Sequence, residues 1–239
     1  MDGTALATRI QHTEVSPTAD RDRIETVLDE CERYGFDGAM VQPCWVELAA
    51  DRLAGSDVSV CTAVGYPMGG DRTATKVGAI EDAVSAGADE VDVMGNVGYL
   101  KSGMNEAFRE DLDGMVEAAG DATIKCMLEL GGLTDAEAER EIGMAVDAGF
   151  DYLKNSSGFG AGGKATVERV RFVAERVPEG VGVKASGGIG TADEARAMLD
   201  AGADLLGASS GVAIVEDAAG AGDADPAADD GREEGTDAY

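Results

Sequence analysis

One short joint, repeated three times, constrains this chain more than any other feature. Ala86-Gly87-Ala88-Asp89, Ala148-Gly149-Phe150-Asp151 and Ala201-Gly202-Ala203-Asp204 each close a helical pattern on glycine and open a short apolar run. Glycine readily takes the left-handed conformation that ends a helix, and the runs that follow have strand length. Read outward from these joints, helices at about 16–34, 44–54, 72–86, 105–119, 135–148, 165–176 and 191–201 alternate with strands at 38–42, 58–64, 90–94, 122–129, 151–154, 181–185 and 204–208. Ser16-Pro17-Thr18 is the expected opening of the first helix. Such alternation implies parallel strands joined by right-handed crossovers. Residues 5–12 read either as a first strand or as a helix end. Counted as a strand they make eight, and a closed (β/α)8 TIM barrel over residues 1–215 follows, close to the ~250 residues such barrels typically use. An open doubly wound sheet is the alternative. No GxGxxG fingerprint opens a helix after the first strand, and Gly160-Ala161-Gly162-Gly163 reads as a flexible loop.

Charge narrows the partners. Of 239 residues, 47 are acidic and 19 basic, a formal charge of -28, which repels nucleic acid and anionic membrane surfaces. The acidity is spread beyond the tail, as expected of a chain adapted to high salt, where screening tames self-repulsion. No apolar run approaches the ~18 residues of a membrane span, and no basic-then-apolar leader is visible. Cys31, Cys44, Cys61 and Cys126 are widely spaced, so reduced thiols in a cytoplasmic protein are expected rather than a zinc site. With His12 as the single histidine, neither a histidine-based triad nor a multi-histidine metal centre is expected. From about Glu216 the composition turns to Ala, Gly, Asp and Glu, so 216–239 is expected to be an acidic tail, disordered over most of 217–238. It ends on Tyr239, which is either an incidental terminal residue or a phenol delivered to the site as a proton donor.

Lysine is scarce, and three of the six stand in β-like runs: Lys125, Lys154 and Lys184. One such lysine can be a packed stem with its head in solvent. Several at strand ends suit a crowded, desolvated site in which an amine becomes nucleophilic. The C-terminal ends of barrel strands converge on one mouth, so the candidates there are Gln11, Asp92, Lys125, Glu129, Lys154 and Lys184. The last two βα loops, Ser186-Gly187-Gly188-Ile189 and Gly207-Ala208-Ser209-Ser210-Gly211, offer backbone N–H groups and hydroxyls. Barrels commonly bind phosphate there, helped by a short helix N-terminus.

The segments Tyr152-Leu153-Lys154-Asn155-Ser156-Ser157-Gly158-Phe159, Val183-Lys184-Ala185-Ser186-Gly187-Gly188-Ile189, Gly207-Ala208-Ser209-Ser210 and Asp89-Glu90-Val91-Asp92-Val93 resemble deoxyribose-phosphate aldolase. The resemblance runs from about residue 9 to 215 and includes Gly65-Tyr66-Pro67 and Leu100-Lys101-Ser102-Gly103. It implies a class I aldolase on a TIM barrel, serving deoxyribonucleotide catabolism and using neither metal nor cofactor. Such an enzyme cleaves 2-deoxy-D-ribose 5-phosphate reversibly to D-glyceraldehyde 3-phosphate and acetaldehyde. The resemblance places Lys154 as the Schiff-base lysine, Lys184 as the second lysine, Asp92 as the carboxylate of the proton relay and Lys125 as a supporting lysine. Gly158, Gly187, Gly188, Gly207, Ser209 and Ser210 are the expected phosphate binders. A homodimer is implied as well, with the phosphosugar and acetaldehyde as small-molecule partners. Departures from the family pattern are Asn155 and Ser157 in place of threonines, Gln11 for an aspartate, Leu130 for a threonine, and Gly190 for an arginine. Another Schiff-base aldolase or transaldolase, or a silent phosphosugar-binding barrel, are the competing readings.

Overall fold

The computed structural model describes residues 1–160 and 163–220. Eight parallel strands close into a barrel in sequence order, β1 (Ile10–Glu14), β2 (Gly38–Val41), β3 (Ser59–Val64), β4 (Glu90–Met94), β5 (Thr123–Met127), β6 (Tyr152–Lys154), β7 (Gly182–Ser186) and β8 (Leu205–Ala208), with β8 pairing back onto β1. This is the expected TIM barrel, and the open sheet is excluded by the β8–β1 ladder. The helices are α1 (Gly3–Ala7), α2 (Arg21–Tyr34), α3 (Val46–Arg52), α4 (Thr73–Ser85), α5 (Val97–Lys101), α6 (Asn105–Ala119), α7 (Asp135–Ala148), α8 (Val167–Ala174), α9 (Ala192–Asp200) and α10 (Gly211–Ala218).

The repeated joint is a latch. In each copy the glycine takes φ near +100°, at Gly87, Gly149 and Gly202. The aspartate that follows then grips one residue of the strand before the helix from both sides. Asp89 donates its N–H to the Val60 carbonyl (2.9 Å) and accepts the Val60 N–H on its carboxylate (2.8 Å). Asp151 does the same to Ile124 (3.1 and 2.9 Å), and Asp204 to Val183 (both 2.8 Å). Alternate strands β3, β5 and β7 are thereby tied at their N-terminal ends, and the register that brings the opposite ends together is fixed.

Several boundaries differ from the sequence reading. Residues 5–12 contain both alternatives, since α1 ends at Ala7 and β1 begins at Ile10; Gln11 lies within that strand rather than after it. Helix α2 starts at Arg21, because Asp20 caps it by accepting the Arg23 N–H. Ser16 instead makes a turn, its hydroxyl bonded to that of Thr18 at 3.0 Å. Glu129 falls beyond β5, in the left-handed conformation (φ 48°). Helices α1, α5 and α10 are too short to show an amphipathic period. Helix α10 also continues to Ala218, past the boundary drawn at 216, because Ile214 and Val215 are buried and hold its first turns. The remainder of the tail, residues 221–239 with Tyr239, lies outside the described residues. No described helix is long and apolar enough to cross a membrane.

Candidate active site

Side chains alternate along a strand, so β4 sends Glu90, Asp92 and Met94 to one face. The β4–β5 register sets Asp92 beside Lys125, and the β6–β7 register sets Lys154 beside Lys184. The barrel interior therefore collects three lysines around one carboxylate. Asp92 Oδ2 accepts from Lys154 Nζ at 2.9 Å and from Lys184 Nζ at 2.8 Å, while Lys125 Nζ lies 3.8 Å from Asp92 Oδ1. Asp92, Lys125 and Lys184 have no solvent exposure, whereas Lys154 keeps 7 %. That difference decides which amine reaches a ligand. Lys154 lines a cleft of about 530 Å³ at the barrel mouth, and the other two lysines stand behind it. Gly207 lets this happen: a Cβ there would sit 3.3 Å from Lys184 Cε and 3.1 Å from Ser186 Cβ.

The charges settle unequally. Burial pushes the Asp92 carboxyl up, but Lys154, Lys184 and Lys125 together hold it well below the usual carboxylate range. Burial lowers Lys184; Asp92 works to raise it, Lys154 and Lys125 lower it further, and it rests at about 8 instead of 10.5. Burial also works against the charge on Lys125, but Asp92 and Glu90 hold its pKa well above that of an ordinary lysine. Lys125 is thus a fixed cation, ion-paired to Glu90, and Lys184 is the group poised to change charge near neutral pH.

Gln11 is the hub beneath them. Its Oε1 accepts from Lys184 Nζ (2.5 Å), and its Nε2 donates to Asp37 (2.9 Å) and Glu90 (2.8 Å). Two carboxylates fix the amide with its oxygen toward Lys184, so the charge absent at position 11 is supplied one residue further away. Asn155 clamps the mouth by bonding the Ser186 backbone twice, accepting its N–H at 2.7 Å and donating to its carbonyl at 3.1 Å. The hydroxyl of Ser156 donates to the Gly163 carbonyl (2.6 Å), and that of Ser186 to the Ser156 carbonyl (3.0 Å). These bonds lock the loop after Lys154 to the loop after Lys184.

All six residues expected to bind phosphate, Gly158, Gly187, Gly188, Gly207, Ser209 and Ser210, line the same cleft as Lys154. Ser210 lines the cleft and is the N-cap of α10 but makes no capping bond with its side chain, and the first N–H groups of a helix have no partner within it. Helix α9 differs: Glu194 already accepts from the Gly190 N–H (2.8 Å) and the Thr191 N–H (3.1 Å).

The sequence model of the DeoC/LacD family of aldolases matches residues 8–217. The chain belongs to that family. Among its curated relatives, the deoxyribose-phosphate aldolase of Staphylococcus carnosus is 44% identical over 207 residues, covering 87% of this chain and 94% of the relative. That of Enterococcus faecalis is 43% identical over 214 residues, 89% and 97% of the two chains. The tetrameric deoxyribose phosphate aldolase structure of Aeropyrum pernix superposes with a TM-score of 0.84 at 30% identity, covering 90% of this chain and 91% of its own.

For a member of this family, the sequence reading found the three lysines and Asp92 but passed over Glu90 and Asp37. Glu90 was findable, since it lies two residues before Asp92 and so shares its face of the strand. Asp37 carries no such signal; its place comes only from the β1–β2 pairing, which sets Gln11 beside Gly38. Glu129, which accepts the Ser157 N–H at 2.7 Å, acts as a brace for the loop after Lys154.

Proposed function

We infer that this chain is a class I aldolase that cleaves 2-deoxy-D-ribose 5-phosphate to D-glyceraldehyde 3-phosphate and acetaldehyde, reversibly, through a Schiff base on Lys154. The observation that carries the assignment of residues is the convergence of Lys154, Lys184 and Lys125 on buried Asp92, with Lys154 alone of the three exposed to the cleft.

Lys154 in its neutral form attacks the C1 carbonyl of the open-chain sugar, and loss of water leaves a protonated imine. The C3 hydroxyl gives up its proton and the C2–C3 bond breaks, its electron pair passing into the imine to form an enamine. Glyceraldehyde 3-phosphate departs. The enamine carbon takes a proton, and hydrolysis of the resulting imine releases acetaldehyde and restores the amine. Lys184 moves those protons, because a group titrating at about 8 can both give and accept near neutral pH, and Asp92 is the carboxylate of the relay that holds it. Lys125 stays charged throughout and holds Asp92 ionised. Gly158, Gly187, Gly188, Gly207, Ser209 and Ser210 receive the phosphate at the far end of the sugar. The chain works as a cytoplasmic homodimer, a reading supported by its three buried free cysteines and by the resemblance, and tested by light scattering. A panel of phosphosugars, with released acetaldehyde measured, tests the substrate: 2-deoxyribose 5-phosphate alone is to turn over at full rate, and equal turnover of fructose bisphosphate or a transaldolase substrate would contradict it.

A further inference from the structure

The phosphate end of the cleft is built from neutral groups. Its glycines and serines donate hydrogen bonds, and the charged side chains lining the cleft are Lys154 and Glu14. Glu14 is paired with Arg23 at 2.9 Å, and Lys154 is committed to the other end of the sugar. Glu194 places a carboxylate against Gly190, and the whole chain carries -28. A phosphate dianion approaching this mouth is therefore repelled unless a local cation opposes the field.

We propose that Lys164 is that cation, a residue that sets specificity for the phosphorylated substrate. The proposal rests on the aldolase reading above and names the charge its phosphate subsite uses. Lys164 is held in place by its backbone: the Ala165 N–H donates to the Gly187 carbonyl (2.9 Å), and Arg169 Nη1 donates to the Lys164 carbonyl (3.2 Å). Its stem crosses the open face of Gly188. A Cβ at Gly188, where φ is +71°, would lie 3.5, 3.6 and 3.8 Å from Lys164 Cγ, Cδ and Cε. Gly188 itself lines the cleft, so the Lys164 stem runs beside the turn proposed to receive the phosphate, within reach of its ammonium. Its field reaches Glu194, whose carboxyl is lowered first by the Gly190 N–H and additionally by Lys164. Among the described residues no carboxylate lies within 4.0 Å of Lys164 Nζ, which leaves the charge for a ligand.

The test compares full-length wild type with Lys164→Met. KM for 2-deoxyribose 5-phosphate is expected to rise about fivefold, the scale of one exposed charge contact, with kcat retained. Unphosphorylated deoxyribose is expected to be unaffected, and the salt dependence of KM to flatten. Lys164→Arg retains the wild-type KM, and adding Gly190→Arg to Lys164→Met restores it from the neighbouring cleft position. An unchanged KM for the phosphorylated sugar, or an equal loss on both sugars, overturns the proposal. Calorimetric binding of inorganic phosphate separates this from the aldolase reading. If wild type cleaves no deoxyribose phosphate, that reading fails, while weaker phosphate binding by Lys164→Met than by wild type still upholds Lys164, and equal binding overturns it.

Discussion

Replacing Asp92 by Asn removes the one carboxylate that two buried lysines share. Its Oδ2 is within 2.9 Å of both Lys154 and Lys184, with Lys125 Nζ 3.8 Å from Oδ1, and the side chain is wholly buried. Removing one partner of a buried pair costs about 3–5 kcal/mol, because the other charge is left uncompensated. The cost is not uniform with pH. Lys184 titrates at about 8 in the fold, below its ordinary 10.5. A lysine depressed in the fold destabilises it while protonated, so stability rises as pH climbs from the folded pKa to the unfolded one. In the wild type that limb begins near pH 8 and is worth about 3 kcal/mol at ~1.4 kcal/mol per pH unit. Without Asp92 the attraction that raises Lys184 is gone, so the limb begins at lower pH. The variant is thus expected to be least stable relative to wild type below about pH 7, with the deficit narrowing up to about pH 8, where the wild-type limb begins and the two curves run parallel. Urea denaturation midpoints across that range measure it. Turnover should fall about 10²–10⁴-fold at every pH, since the proton path is lost along with the charge. Wild-type stability at neutral pH, or parallel pH profiles for the two proteins below about pH 8, would refute the reasoning.

Three further outcomes are expected. Ser210→Asp sets a negative charge at the mouth of α10 and should raise KM for the phosphorylated sugar much more than for deoxyribose; equal loss on both would point away from this phosphate site. Glu141→Met should stabilise the fold by about 1–3 kcal/mol, because both carboxyl oxygens of Glu141 are buried without a partner and burial holds its pKa well above 4.5. As a raised carboxyl erodes stability when pH climbs above its unfolded pKa, the gain should be smaller at about pH 4 than at about pH 7; thermal melts at the two values check it. Deleting Tyr239 should slow deuterium exchange into acetaldehyde more than it weakens sugar binding, and full-rate exchange would leave the tail a solubility device.

The barrel was legible because its signals are local. The three Gly–Asp joints announce β4, β6 and β8, and the same aspartates turn out to be what latches β3, β5 and β7. Lys154, Lys184, Lys125 and Asp92 were legible because a charge inside an apolar run is costly to bury unless an opposite charge meets it. What stayed hidden depends on pairing across the barrel. Gln11 looked like a lost charge until its amide was seen held between Asp37, Glu90 and Lys184. The Asn155–Ser186 clamp joins two loops thirty-one residues apart in the chain, and no spacing rule predicts it. Lys76 carries no signal in the sequence, yet it is buried against Asp111 at 2.5 Å and donates to the Met94 carbonyl at 3.1 Å. It ties α4 to α6 and to the C-terminal end of β4. Helix α10 was missed because its apolar turn is short and runs into acidic sequence.

The central claim is that Lys154, and not one of the lysines behind it, forms the covalent bond. Borohydride reduction in the presence of acetaldehyde, followed by peptide mass analysis, tests it directly. One ethyl group on the peptide containing Lys154, absent in Lys154→Ala along with turnover, is the predicted result. Labelling of Lys184 or Lys125 instead, or substantial activity in Lys154→Ala, would contradict the account.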